Sequence, residues 1–234
     1  MSELITAMAE SIKSGAPLPP MPKDLDLDAA YEIQRQVVEA VAGDAIAGYK
    51  AGLTAPAGQQ QFGLDHPLIG VLYQAGRLEP GATFASAPGV SLECEIGVVI
   101  DADGSPRSAG PVIEVPRMAF GDPADRTGMN LTACNIAADR FIVGQQADIR
   151  DSYDDIEVTL TRNGETIASA SATEALGGPI PALNWMLETA RERGREMADG
   201  MLMITGALGG IHPAEPGEYV ADYGTLGQIS FTVT

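Results

Sequence analysis

Positive charge, cysteine, histidine and long apolar runs are all scarce in these 234 residues. Lysine and arginine together number 14 against 32 acidic residues, a formal net charge of −18. So acidic a balance argues against nucleic-acid binding, which needs a basic face. It is equally ill-suited to an anionic membrane surface. A small anionic substrate would need a local positive centre, from a metal ion or from one of the rare lysines. The two cysteines, Cys94 and Cys134, form no CxxC pair, which excludes the usual structural zinc spacing. No run of about 18 apolar residues occurs, so no segment reads as membrane-spanning. The opening MSELITAMAESIKSG carries Glu3 and Glu10 and lacks the basic-then-apolar pattern of a signal peptide. A cytoplasmic protein with free thiols is expected. The two histidines, His66 and His212, each precede a proline, and no GxSxG occurs, so a histidine-based nucleophilic triad is not expected.

Apolar residues are plentiful at 45%, enough for a packed core. Residues 3–13 read as a helix, followed by the proline-rich connection GAPLPPMPKD. A second helix begins near Asp26 or Asp28, either of which can cap it, and buries Ala30, Ile33, Val37, Val38 and Val41. The extended segment IAGYKAGLT and a strand at 69–73 complete a small N-terminal region, taken as residues 1–75. Residues 76–234 are mostly β. Strands are expected at 91–100 and 111–115, with DADG as a turn between them. That turn lacks the further ligands of a calcium loop. DIEVTLTRNGETIASAS reads as a hairpin with a type I′ turn at Asn163-Gly164. One helix, PALNWMLETARERG, buries Leu183, Met186, Leu187 and Ala190. MLMIT and QISFTVT follow as strands. Strands in series with one inserted helix imply an α+β fold.

The strand SLECEIGVVI raises a chemical question. Side chains two apart share a face. Glu93 and Glu95 therefore lie together, opposite a core face of Leu92, Cys94, Ile96, Val98 and Ile100. Two adjacent like charges repel and lose hydration if buried. A divalent cation answers both problems; water at an exposed strand end is the alternative. Glu114, in GPVIEVPRM, is another carboxylate in an apolar strand. Three such groups on neighbouring strands make a hard oxygen site. A simple ion pair of Glu114 with Arg117 is the rival reading. Lys50, one of three lysines, stands among glycines in AGYKAGL and can approach a ligand closely. On that segment alone, a surface lysine at a strand end is the better reading. The glycine-rich GALGG at 206–210 can offer backbone N–H groups to a carboxylate.

Taken together, these segments resemble a known family. GYKAGLTAPAGQQQFGLDHPLIGVLY, LECEIGVVI, PVIEV, NIAADRFIVG and the stretch from GGPIPALNWMLETARERG to PGEYVADYGTLGQISFTV resemble, in that order, blocks of the 2-oxopent-4-enoate hydratase and 4-oxalocrotonate decarboxylase family. That family lies in the fumarylacetoacetase-like superfamily, and the resemblance runs from about residue 28 to the end. It implies a fumarylacetoacetase C-terminal-like mixed β-roll with a small N-terminal helical region. It implies a Mg²⁺ or Mn²⁺ site at Glu93, Glu95 and Glu114, a catalytic Lys50, and substrate contacts from Asn135, Thr205 and Gly206. It also implies a small 2-oxo acid substrate and a homo-oligomer. Hydration of a 2-hydroxydienoate comes first, decarboxylation next, acylpyruvate hydrolysis third; a non-catalytic 2-oxo acid binder is the alternative outside enzymes. The sequence departs from the hydratase pattern at Pro67-Leu68, where the family shows Pro-Asp, and at Cys134, where it shows Asp before Asn135. Arg117 also stands closer to Glu114 than the family arginine does to its glutamate.

Overall fold

A computed structural model describes residues 3–234. Two helices come first, α1 (Glu3–Ser14) and α2 (Leu27–Ala42). Asp26 caps α2, its carboxylate accepting from the Ala29 N–H at 2.8 Å. Of the expected stripe, Ala30, Val37 and Val38 are buried and Ile33 and Val41 partly so; Tyr31 and Gln34 complete the inward face. Then follow β1 (Ile46–Gly52), the short α3 (Pro56–Gln61) and β2 (Leu68–Tyr73). Two-residue strands β3 (Arg77–Leu78) and β4 (Thr83–Phe84) lead to the long pair β5 (Ser91–Ile100) and β6 (Pro106–Val115). The β6 strand starts five residues before the expected 111, because the DADG turn reverses the chain at once: Asp101 and Gly104 close it through backbone bonds of 2.9 Å. The chain continues through α4 (Gly128–Ala133), β7 (Arg140–Val143) and β8 (Ala147–Asp148).

β9 (Glu157–Arg162) and β10 (Glu165–Ser171) form the expected hairpin. Asn163 and Gly164 have φ of 51° and 83°, the left-handed pair that a type I′ turn requires. The remaining elements are α5 (Pro179–Glu192), β11 (Leu202–Ile204), β12 (Leu208–Pro213), β13 (Gly217–Asp222) and β14 (Gln228–Val233).

The strands build two mixed sheets. The larger runs β2-β1-β11-β5-β6-β7-β3, with β12 also on β5 and β8 also on β6. The smaller runs β10-β9-β13-β14-β4. β1 lies parallel to β11 and β3 to β7; the other pairs of the larger sheet are antiparallel. The strands of the 1–75 stretch are thus hydrogen-bonded into the larger sheet. Both faces of that sheet are buried. On one, Leu92, Cys94, Ile96, Val98 and Ile100 of β5 join the main core, and α5 packs across β1, β2 and β5. On the other, Leu72, Val112, Phe141, Val143, Leu202 and Ile204 form a second apolar cluster. By register, this second face also carries the glutamates of β5. Among the described residues no helix is long and apolar enough to cross a membrane.

Candidate active site

The β5–β6 register sets Glu93 directly opposite Glu114, with Glu95 one step along beside Val112. Directly opposed like charges destabilise a sheet unless something neutralises them. Here all three carboxylates are buried, and they offer oxygens within 4.8 Å of one another. Glu95 Oε2 accepts the Gly206 N–H at 2.6 Å. Glu95 Oε1 and Glu114 Oε2 are buried without a hydrogen-bond partner. Burial, then the charge of Glu114, pushes Glu93 up to about 7 against the pull of Lys50. Burial and the charges of Glu114 and Glu93 raise Glu95 well above the ordinary carboxylate range.

Lys50 is not at the surface. Its side chain is 3% exposed, and its ammonium bonds to Glu114 Oε1 and, at 3.2 Å, to the Ile136 carbonyl. Burial pulls its pKa down, but Glu114, Glu93 and Glu95 outweigh this and hold it above the ordinary lysine value. Gly70 faces Lys50 across the β1–β2 pair, and a Cβ there would stand 2.9 Å from Lys50 Cγ. Only glycine leaves the lysine stem its path. Arg117, the rival partner of Glu114, is directed elsewhere: its guanidinium lies against Gly15 and lines a separate small cavity beneath α1.

The turn after α4 brings the Ile136 carbonyl to Lys50. Asn135, Ile136 and Ala137 have φ of 59°, 53° and 56°, three consecutive left-handed residues without a glycine. Such a backbone is costly and needs fixing from outside. Asn135 supplies the fixing: its amide donates to the Val71 carbonyl and accepts the Val71 N–H, both at 2.8 Å. The Asn135 side chain therefore grips β2. The Thr205 hydroxyl donates to the Ile96 carbonyl at 2.8 Å, and the Gly206 N–H holds Glu95. In this structure Asn135, Thr205 and Gly206 support the lysine and the carboxylates.

A cleft of about 230 Å³ opens onto this cluster. Lys50 and Glu93 stand on its wall, and Leu53, Phe62, Met118, Leu131 and Ile136 give it an apolar lining. Ile211, 56% exposed, stands at its edge. Glu174 also lines it, a residue that sequence reasoning did not single out. Its only signal would have been a lone acid in SATEALGGP, which carries no period or motif. Neither histidine lines the cleft: His66 Nδ1 pairs with Asp65 at 2.8 Å, and His212 Nε2 lies 3.0 Å from the Gly209 carbonyl. Both cysteines are free and buried, Cys94 pushed up to about 12 and Cys134 to about 11 by burial, which disfavours the thiolate form.

The two mixed sheets with few helices give the protein the fumarylacetoacetase-like fold. Comparison with known proteins narrows this further. A 2-keto-4-pentenoate hydratase of Paraburkholderia phymatum is 29% identical over 234 residues, covering 92% of this chain and 88% of the relative. A 4-oxalocrotonate decarboxylase of Pseudomonas sp. strain CF600 is 25% identical over 208 residues, covering 82% and 78%. Among solved structures, the 4-oxalocrotonate decarboxylase of Pseudomonas putida G7, complexed with magnesium and adipate, superposes with a TM-score of 0.85 at 22% identity, covering 99% and 98%. No family model matches the chain. The chain is a homologue of the 2-keto-4-pentenoate hydratases and of 4-oxalocrotonate decarboxylase.

Proposed function

We propose that the protein is a divalent-cation-dependent hydro-lyase of the 2-hydroxypenta-2,4-dienoate hydratase type. The observation that carries this reading is the convergence of Glu93, Glu95 and Glu114 with Lys50 beside an apolar cleft whose wall includes Lys50 and Glu93. The donor set fits a hard cation such as Mg²⁺ or Mn²⁺: all ligands are carboxylate oxygens, and two of those oxygens are buried without partners. Glu93, Glu95 and Glu114 would hold the ion. When bound there, it supplies positive charge that stabilises negative charge growing on the substrate's 2-oxygen.

The protein's own groups account for the rest. Gly206 N–H fixes Glu95, and Asn135 fixes the turn whose carbonyl orients Lys50. The Lys50 ammonium, on the cleft wall, can neutralise a bound acid and donate a proton to an oxygen on which negative charge grows. The apolar walls hold the carbon chain. In the reaction, a 2-hydroxydienoate becomes the conjugated 2-oxo-3-enoate, and water adds at the far alkene carbon.

Decarboxylation is the second reading, supported by the decarboxylase relatives. It needs a diacid, and a distal carboxylate needs a counter-charge. Lys50 is the only cationic side chain among the described residues lining the cleft, and Glu114 engages it. A second carboxylate would meet apolar walls and Glu174, which favours a monoacid. Hydrolysis of an acylpyruvate lacks a histidine in the cleft. Paired assays decide among them. Consumption of 2-hydroxypenta-2,4-dienoate without CO₂ release supports the hydratase. CO₂ from a 2-oxohexenedioate makes it a decarboxylase. Tight oxalate binding with no turnover of either acid or of acylpyruvates makes it a binding protein.

A further inference from the structure

The proposed hydration needs a group at the far end of the substrate. Water adding to an alkene carbon must give up a proton, and a positioned base speeds that transfer. Three titratable side chains line the cleft among the described residues: Lys50, Glu93 and Glu174. The first two belong to the carboxylate–lysine cluster. Glu174 remains.

Its placement suits the task. Glu174 lies on the loop between β10 and α5, with its side chain exposed and Oε2 3.4 Å from the Gly209 N–H. The next residue, Ala175, is buried against the turn that follows β11: a Cβ on Gly206 would lie 3.1 Å from the Ala175 Cβ. Gly206 is the residue whose N–H holds Glu95 at 2.6 Å. The loop bearing Glu174 is therefore anchored on the same turn as the cluster, while its carboxylate stands apart from it. An exposed carboxylate beside an apolar wall can accept a proton and release it to solvent.

We propose that Glu174 is the general base for water addition, an assignment that rests on the hydratase reading. In the 2-oxo-3-enoate, the water oxygen bonds to carbon 4. The carbon 3–carbon 4 π pair moves to carbons 2 and 3, and the carbonyl pair moves onto the 2-oxygen. One water proton passes to the Glu174 carboxylate and then to solvent. Carbon 3 then takes a proton from solvent as the pair on the 2-oxygen re-forms the carbonyl, leaving a 4-hydroxy-2-oxo acid. Substrate and one water are consumed, with no change of oxidation state overall.

The test compares wild type, Glu174→Gln and Glu174→Asp with 2-hydroxypenta-2,4-dienoate and Mg²⁺. Ketonisation and hydration are followed separately by absorbance and by NMR of the product, and Mg²⁺ affinity by calorimetry. Glu174→Gln should lose about 10²-fold in the hydration kcat. It should keep its Mg²⁺ affinity and still convert the dienol to the conjugated ketone, which accumulates. Glu174→Asp should recover part of the hydration rate. Near-normal hydration by Glu174→Gln overturns the assignment and leaves the hydratase reading standing. Loss of Mg²⁺ affinity in step with activity overturns it too, making Glu174 a support of the metal site. A wild type that leaves the dienoate untouched removes the hydratase reading, and this assignment with it.

Discussion

Withdrawing divalent cations should make the protein less stable as pH rises from about 4.5 to 7, and Glu93 is the group to watch. Burial and the facing charge of Glu114 displace it from an ordinary 4.5 to about 7. Below pH 4.5 the folded and unfolded chains both hold this proton. Between 4.5 and 7 the folded chain binds more protons, so raising the pH favours unfolding. Above 7 the folded group also ionises and the loss is complete. The displacement corresponds to about 3 kcal/mol. For a chain of this size that is roughly 6–12 °C in Tm. Glu95, raised in the same direction, adds to it. Saturating Mg²⁺ should abolish the trend, because a cation binds the ionised carboxylates and gains affinity as pH rises. Thermal melts at a series of pH values, in EDTA and in Mg²⁺, check this for wild type and for Glu93→Gln, which cannot titrate. Carboxylates shifted the other way, such as Glu32 at about 2, are common to both proteins and cancel in the difference. Parallel pH profiles for the two proteins in EDTA would refute the reasoning.

Other substitutions probe the same cluster. Lys50→Ala should lower kcat by about 10²-fold or more, measured as dienoate turnover at saturating Mg²⁺; near-normal turnover would remove Lys50 from proton transfer. Glu95→Gln should weaken Mg²⁺ binding in calorimetry, and an unchanged metal dependence of activity would contradict the three-carboxylate site. Gly70→Ala places a Cβ 2.9 Å from Lys50 Cγ, so turnover should fall while circular dichroism shows the fold retained; full activity would show that the lysine needs no such channel.

The site is partly legible in the sequence. Period two put Glu93 and Glu95 on one face of a strand, and an acid in the apolar PVIEV singled out Glu114. Lys50 was different. Its own segment reads best as a strand end with a surface lysine, since three of its neighbours from Gly48 to Gly52 are glycine or alanine. Burial came from placement: β1 sits beside β11, one strand from β5, with β2 on its other side. No local pattern encodes which strand becomes central. Asn135 is a similar case. No local pattern tells that both atoms of its amide bond to Val71, 64 residues away.

The sequence by itself determined the elements and the chemistry available to them. Alternation set the strand faces, Asp26 capped a helix, Asn163-Gly164 turned a hairpin, and a shortage of cations left few partners for buried acids. These are short-range matters of backbone preference and charge. Tertiary structure alone decided that Glu93 faces Glu114, that Lys50 is their counter-charge rather than Arg117, and that Glu174 shares their cleft. Each depends on strand register and on loops far apart in the chain. Those are set by the packing of the whole core, which no local stretch contains.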